Sequence, residues 1–120
     1  MRIVSLVPSL TKTLADLGLP KEHLVGRTPW CIHPEEYILD IPIVGGTKTP
    51  NIKKILALNP DLVIMDKEEN PFEVFNELDK MGIERFVSEV ESPKDVPDML
   101  RTLGKKIDCK DMSETFAAAI

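Results

Sequence analysis

Asp61-Leu62-Val63-Ile64-Met65-Asp66 is the stretch that decides how the rest of the chain is read. Four consecutive apolar residues between two aspartates leave no polar face, so the segment must be covered on both sides, as the inner strands of parallel sheets are. Parallel neighbours need long crossover connections, usually helices. Both flanks carry such patterns. Before the run, Pro50-Asn51 opens a helix with Ile52, Ile55 and Leu56 turned inward, ended by Asn59-Pro60. After it, the charged loop Lys67-Glu68-Glu69-Asn70 leads into Asn70-Pro71-Phe72-Glu73, which reads as an N-cap, a proline at the first helical position and a glutamate placed for a capping box. Phe72, Phe75, Leu78 and Met81 are the expected buried face of that helix, with Gly82 as its cap.

Toward the amino terminus, residues 41–44 read as a short strand broken by Gly45-Gly46, 35–40 as a polar surface turn, and 24–28 as a strand stopped by Pro29. Residues 2–7 form another buried strand, with Ser9 as the N-cap of a helix that carries Leu10, Leu14 and Leu17 on one face and stops at Gly18 and Pro20. Toward the carboxyl terminus, 83–90 read as a strand and 93–103 as a helix ended by Gly104. The last segment, 109–120, has Met112, Phe116 and Ile120 at helical spacing and no closing cap. It is expected to be a helix still in progress in a fragment of a longer protein, or the end of a short chain that packs on a partner subunit. Strand and helix alternate throughout, which predicts an α/β three-layer sandwich with a mostly parallel central sheet, a Rossmann-like lobe.

With 120 residues the chain fits one domain, and a composition of 42% hydrophobic and 29% charged residues is that of a globular protein. A net charge of -5 removes the usual driving force for binding a phosphate backbone, so no nucleic-acid partner is expected. Cys31 and Cys109 lie far apart with no Cys-x-x-Cys pair and read as free thiols. No stretch is long enough to span a membrane, and the amino-terminal apolar run is too short for a signal peptide. The chain as written is expected in the cytoplasm, or outside it if a leader has been removed.

Candidate chemistry gathers at the strand exits, because loops leaving the carboxyl ends of parallel strands converge on a crevice. Val25-Gly-Arg-Thr-Pro-Trp-Cys-Ile-His-Pro34 holds the single tryptophan, one of two cysteines and one of two histidines. Trp30 is either a core aromatic or a ring platform for a ligand. Cys31 and His33 alternate along an extended segment and would share one side, offering a soft and a borderline ligand to a metal or a metal-bearing molecule. The alternative is a buried cysteine and a histidine bonded to the backbone. Pro8 and Ser9 border the same crevice where helix N-terminal amides can take an anionic group, with Thr47, Lys48, Glu68, Glu69 and Asn70 on its rim. Gly45-Gly46-Thr47-Lys48 lacks the spacing of a P-loop, and neither a dinucleotide glycine motif nor a Gly-x-Ser-x-Gly elbow occurs. No catalytic residues are assigned; an enzyme built on Cys31 and His33 would need a depressed thiol pKa.

The blocks Arg2-Ile-Val-Ser-Leu-Val-Pro-Ser9, Val25-Gly26, Val44-Gly45-Gly46 and Ile55-Leu-Ala-Leu-Asn-Pro-Asp-Leu-Val-Ile64, in that order, resemble the amino-terminal lobe of helical-backbone substrate-binding proteins. That is the family of ABC importers for cobalamin and ferric siderophores. Cys31-Ile-His-Pro34, Gly45-Gly-Thr-Lys48 and Lys67-Glu-Glu-Asn70 are similar to a branch labelled cobalamin-binding or metal-receptor proteins. The resemblance implies a non-enzymatic domain: 1–108 as the first lobe, 109–120 as the start of the helix joining two lobes, the second lobe absent. It implies a metal chelate as ligand (cobalamin, a ferric siderophore or haem) with no covalent cofactor, and a permease as partner. Trp30 stands where cobalamin binders place an aromatic, while the aromatic they place near Thr47 is missing. Lys12 replaces a frequent glutamate, and Lys53 replaces the carboxylate that meets permease arginines, turning a docking salt bridge into repulsion. The rival expectation is a small structural or interaction domain whose sheet dimerises and whose strand-exit residues are only packing, with the apolar face of Phe116 and Ile120, exposed by loss of the second lobe, prone to association.

Overall fold

In the computed structural model, which describes residues 1–119, four strands form one sheet: β1 (Ile3–Ser5), β2 (Leu24–Gly26), β3 (Leu62–Asp66) and β4 (Glu84–Ser88). Their order is β2-β1-β3-β4 and every pair is parallel, with Ile3 opposite both Leu24 and Leu62, and Leu62 opposite Glu84. The helices are α1 (Pro8–Asp16), α2 (Glu35–Ile38), α3 (Ile52–Ala57), α4 (Phe72–Lys80), α5 (Val96–Lys106) and α6 (Lys110–Ala118). The expected α/β layering is what is found.

Alternation along the strands sorts the core into two faces. Ile3, Leu62, Ile64 and Phe86 point to one side, against Leu10 and Leu14 of α1 and Leu17 just after it, Tyr37 and Ile38 of α2, and Leu103 of α5. Val4, Val63 and Met65 point to the other, against Ile55 of α3 and Val74 and Leu78 of α4. The apolar run is thus covered twice: Leu62, Val63, Ile64 and Met65 are at most 2% exposed. Burial of each such side chain contributes roughly 1.5–3 kcal/mol.

Several local expectations are corrected. Residues 35–40 are not merely a polar turn, because α2 buries Tyr37 and Ile38, and the Tyr37 hydroxyl donates to the Leu19 carbonyl at 2.6 Å. Residues 41–44 make only one bridge, Arg27 with Ile43, since the Gly45 turn pulls the chain away at once. Gly45 sits at φ +112, and a Cβ there would lie 2.7 Å from the Thr49 carbonyl oxygen. Pro8 itself starts α1, so Ser9 falls within the first turn and Val7 is the capping position. The capping box at Asn70 does not form: α4 starts one residue later, after Pro71. Of the four apolar residues expected inside α4, Leu78 is buried and Phe75 partly so, whereas Phe72 is 71% and Met81 58% exposed. Val74 takes the inner position instead.

Gly104 does not end α5, which runs on to Lys106. Its role is contact, because a Cβ at Gly104 would land on the Ser113 side chain of α6. The two helices are also joined by Arg101, whose Nε and Nη2 reach the Glu114 carboxylate at 2.9 and 3.2 Å. Ile120 lies outside the described residues, so the apolar face expected from Phe116 and Ile120 is seen only at Phe116, 40% exposed.

Candidate functional site

The strand order fixes where a site can be. The connection from β1 to β2 runs through α1 on one face of the sheet, and that from β3 to β4 runs through α4 on the other. Between β1 and β3 the two connections therefore part, and a crevice opens outside the carboxyl ends of those strands. All four strand exits share this edge because all four strands are parallel.

Asn70 sits between the exits of β1 and β3. Its Oδ1 accepts from the Asp66 amide at 2.8 Å, and its Nδ2 donates to the Leu6 carbonyl at 3.2 Å and the Thr47 carbonyl at 2.9 Å. Both amide hydrogens are consumed, and the side chain is buried. Asn70 thus ties the exits of β1 and β3 to the glycine loop rather than standing on the rim. Asp66 organises the same loop: one carboxylate oxygen accepts the Glu68 and Glu69 amides at 2.9 and 3.1 Å, the other accepts the Ser88 hydroxyl at 2.6 Å. Lys48 donates to the Glu68 carbonyl at 2.7 Å, which joins the glycine loop to the rim a second time.

The rim charges are mostly balanced. Lys67 pairs with Glu89 at 2.6 Å, and that hydrogen bond holds its ammonium above the usual lysine range. Glu69, partly buried and beside Asp66, has its carboxyl pushed up, with Lys48 opposing the shift. Glu68 is exposed, as is Ser9, while Pro8 and Thr47 are partly covered.

The segment after β2 divides its candidates. Trp30 stands 67% exposed. Cys31 is fully buried, with its sulfur 3.1 Å from Thr11 Oγ1 and 3.2 Å from Thr28 Oγ1. Thr11 Oγ1 in turn lies 2.9 Å from Ser5 Oγ. His33 is exposed. The expected sharing of one side by Cys31 and His33 is corrected, because the Cys31 amide bonds back to the Thr28 carbonyl at 3.2 Å and the chain turns instead of running extended. Among the described residues no three His, Cys, Asp or Glu side chains gather as a metal cage, and no helix is long and apolar enough to cross a membrane.

Sequence reasoning missed a groove of 290 Å³ beside the crevice, lined by Met65, Asp66, Asn70, Phe72, Phe75 and Val87 among others. The signal for Phe72 was available: at 3.6 residues per turn it lies about 120° from Leu78 around α4, off the buried stripe.

Comparisons with known proteins agree with this architecture. Residues 3–120 match the family profile described as Periplasmic binding protein. The Vitamin B12-binding protein of Vibrio vulnificus (strain CMCP6) is 29% identical over 107 residues, covering 89% of this chain and 38% of that protein. The crystal structure of the periplasmic vitamin B12 binding protein BtuF of Vibrio cholerae superposes with a TM-score of 0.87 at 27% identity, over 98% of this chain and 46% of that one. A periplasmic heme binding protein from Pseudomonas aeruginosa gives 0.87 at 25%, over 98% and 42%. The chain spans less than half the length of each of these relatives.

Proposed function

The chain belongs to the periplasmic binding protein family, and from that premise we propose that it forms one wall of a cleft for a metal chelate of the cobalamin, haem or ferric-siderophore kind. The ligand rests against the strand exits. Trp30 stacks on its flat face, Pro8 and Ser9 meet a polar or anionic edge at the start of α1, and Thr47, Lys48, Glu68 and Glu69 form the rim. His33 lies beside the ring without Cys31, whose sulfur is turned inward. Asn70 acts beneath the surface, holding the loops that carry the rim.

The observation that carries this reading is the 67% exposed indole of Trp30 at the shared edge of a doubly covered parallel sheet. A flat ring free of covering neighbours there is available to stack on the face of a ligand. One wall leaves much of a ligand wet, so binding is weaker than in a closed pocket, which buries roughly 70–90% of its ligand. Docking on an ABC permease belongs to the same reading, with the exposed Lys53 on α3 setting a repulsive contact where a carboxylate would attract.

The test is a titration of Trp30 fluorescence with cyanocobalamin, haemin and a ferric siderophore, corrected for ligand absorbance. Saturable quenching by one of them supports the reading and names the ligand class. A purely linear response to all three in the full chain overturns it.

A further inference from the structure

Among the described residues Phe72 is the most exposed of the large apolar side chains, yet it is not without a neighbour. Its ring stacks on Phe75 with centroids 6.0 Å apart and planes 14° from parallel. The guanidinium carbon of Arg85 lies 4.6 Å from the centroid of the Phe75 ring, in the geometry of a cation–π contact, and Arg85 is anchored in turn by Asp79 at 2.9 Å. The result is a ladder of Asp79, Arg85, Phe75 and Phe72 along α4 and β4, with the last ring presented to solvent at the first turn of α4. An exposed ring fixed in this way has lost its freedom before any ligand arrives, which lowers the cost of binding.

The groove beside it has a definite chemistry. Met65, Pro71, Phe72, Phe75 and Val87 make its walls apolar. The two charges that reach it are already satisfied, Asp66 by Ser88 and two backbone amides and Lys67 by Glu89. An ion would therefore find no free counter-charge there, whereas an uncharged flat surface would find a ring and a floor. At 290 Å³ the groove sits at the small end of ligand sites, roughly 300–1,000 Å³, and takes the edge of a macrocycle rather than a whole one. A stable protein partner would need about 800 Å² on each side. The groove also continues the crevice, because Asn70 lines it and at the same time bonds the Thr47 loop.

We propose that Phe72, braced by Phe75 and Arg85, and the groove beside it form an aromatic subsite for an apolar planar edge of the ligand. This inference rests on the proposed cleft.

Three variants of the full chain separate the two claims, with haemin and cyanocobalamin as probes. In Phe72→Ala, read by Trp30 quenching, affinity for the bound probe falls about tenfold, while the chain stays folded, since most of the side chain is in solvent and only its stacking on Phe75 is lost. Trp30→Phe combined with Phe72→Trp places the only indole in the groove, and its emission is quenched saturably by the same probe. Trp30→Phe alone controls for residual signal. Quenching of Trp30 that Phe72→Ala leaves within about twofold, with an unresponsive indole at 72, overturns the subsite while the cleft stands. Quenching at position 72 without any at Trp30 retains the groove and overturns the stacking role of Trp30. Silence at both positions overturns both. Concentration-dependent self-association that Phe72→Ala abolishes would assign the groove to a second copy and overturn the ligand subsite.

Discussion

Asn70 donates from its side-chain amide to the main-chain carbonyl of Leu6, 64 residues earlier in the chain, at 3.2 Å. No other side chain holds the two strand exits that bound the crevice in the same way among the described residues. Replacing Asn70 by alanine leaves the Leu6 and Thr47 carbonyls and the Asp66 amide without this partner, at a cost of about 2–4 kcal/mol. Asn70→Asp keeps the acceptor for Asp66 and sets a carboxylate against two carbonyl oxygens, so it is expected to fare no better. Chemical denaturation measures the loss. Hydrogen exchange should show it concentrated in residues 45–51 and 66–70, and uniform loosening of the whole sheet would contradict the assigned role.

Gly104→Ala sets a methyl group against Ser113 where α5 and α6 touch. Both partners sit on regular helix, so relief requires α6 to shift, and overpacking of this sort costs about 1–3 kcal/mol. Ser113→Gly in the same chain should recover most of the loss, since it removes the group that the new methyl meets. Thermal melts of the single and double variants test this; equal melting temperatures for all would show that α6 does not pack as described.

Tyr37 predicts an alkaline limit. Burial, with Cys109 and Glu22 adding to it, pushes its phenol up to about 12 from an ordinary value of 10.0. The unfolded chain gives up this proton first, so stability falls as pH rises through the window from about 10 to about 12. Tyr37→Phe loses the bond to the Leu19 carbonyl, costing about 1–2 kcal/mol at neutral pH. It should show a smaller further decline over that alkaline window, measured by denaturant titrations at fixed pH.

Glu69 acts in the opposite region. Burial and the nearby Asp66 raise its folded pKa above the unfolded one, so the native state binds the proton more tightly and stability falls as pH rises through that interval. Glu69→Gln is therefore expected to raise the melting temperature at pH 7 and to match the parent chain in acid, below both pKa values. A variant that melts lower at pH 7 would mean that the attraction to Lys48 outweighs burial.

The thiols should differ sharply toward a disulfide reagent. Cys109 is partly exposed with its pKa pushed up by burial and Asp108, and Cys31 is enclosed between Thr11 and Thr28. At neutral pH the native chain should react slowly at Cys109, while Cys31 reacts only after denaturant is added. Peptide mapping of the first labelled site decides it, and early labelling of Cys31 would place that sulfur at the surface.

What the sequence disclosed follows from how local each cause was. Leu62–Met65 was readable because burial on both faces erases periodicity in the residues themselves. Asn70 was misassigned because a helix cap and a long-range clamp call for the same residue type before the same proline, and only tertiary contact distinguishes them. Cys31 and His33 parted company because the alternation rule holds for extended chain, and the turn at Thr28 is closed by a bond no spacing announces. Phe72 was read as core from its hydrophobicity, although its angle around α4 already set it apart. The parallel order of the strands was legible from the alternation of strand and helix; which groups stand at their exits depended on where each loop folds back.

The central position of β1 has a consequence for biogenesis. Ile3–Ser5 is flanked by β2 on one side and β3 on the other, so the earliest strand in the chain becomes an inner one. On the ribosome its first partner follows within some twenty residues, but its second, Leu62–Asp66, emerges only after α3. Until then one flank of β1 and the apolar side chains meant for both layers stand open to water. The β1–β3 pairing is therefore the long-range step of sheet formation, and the sheet is complete on that side of β1 only once Leu62–Asp66 is in place.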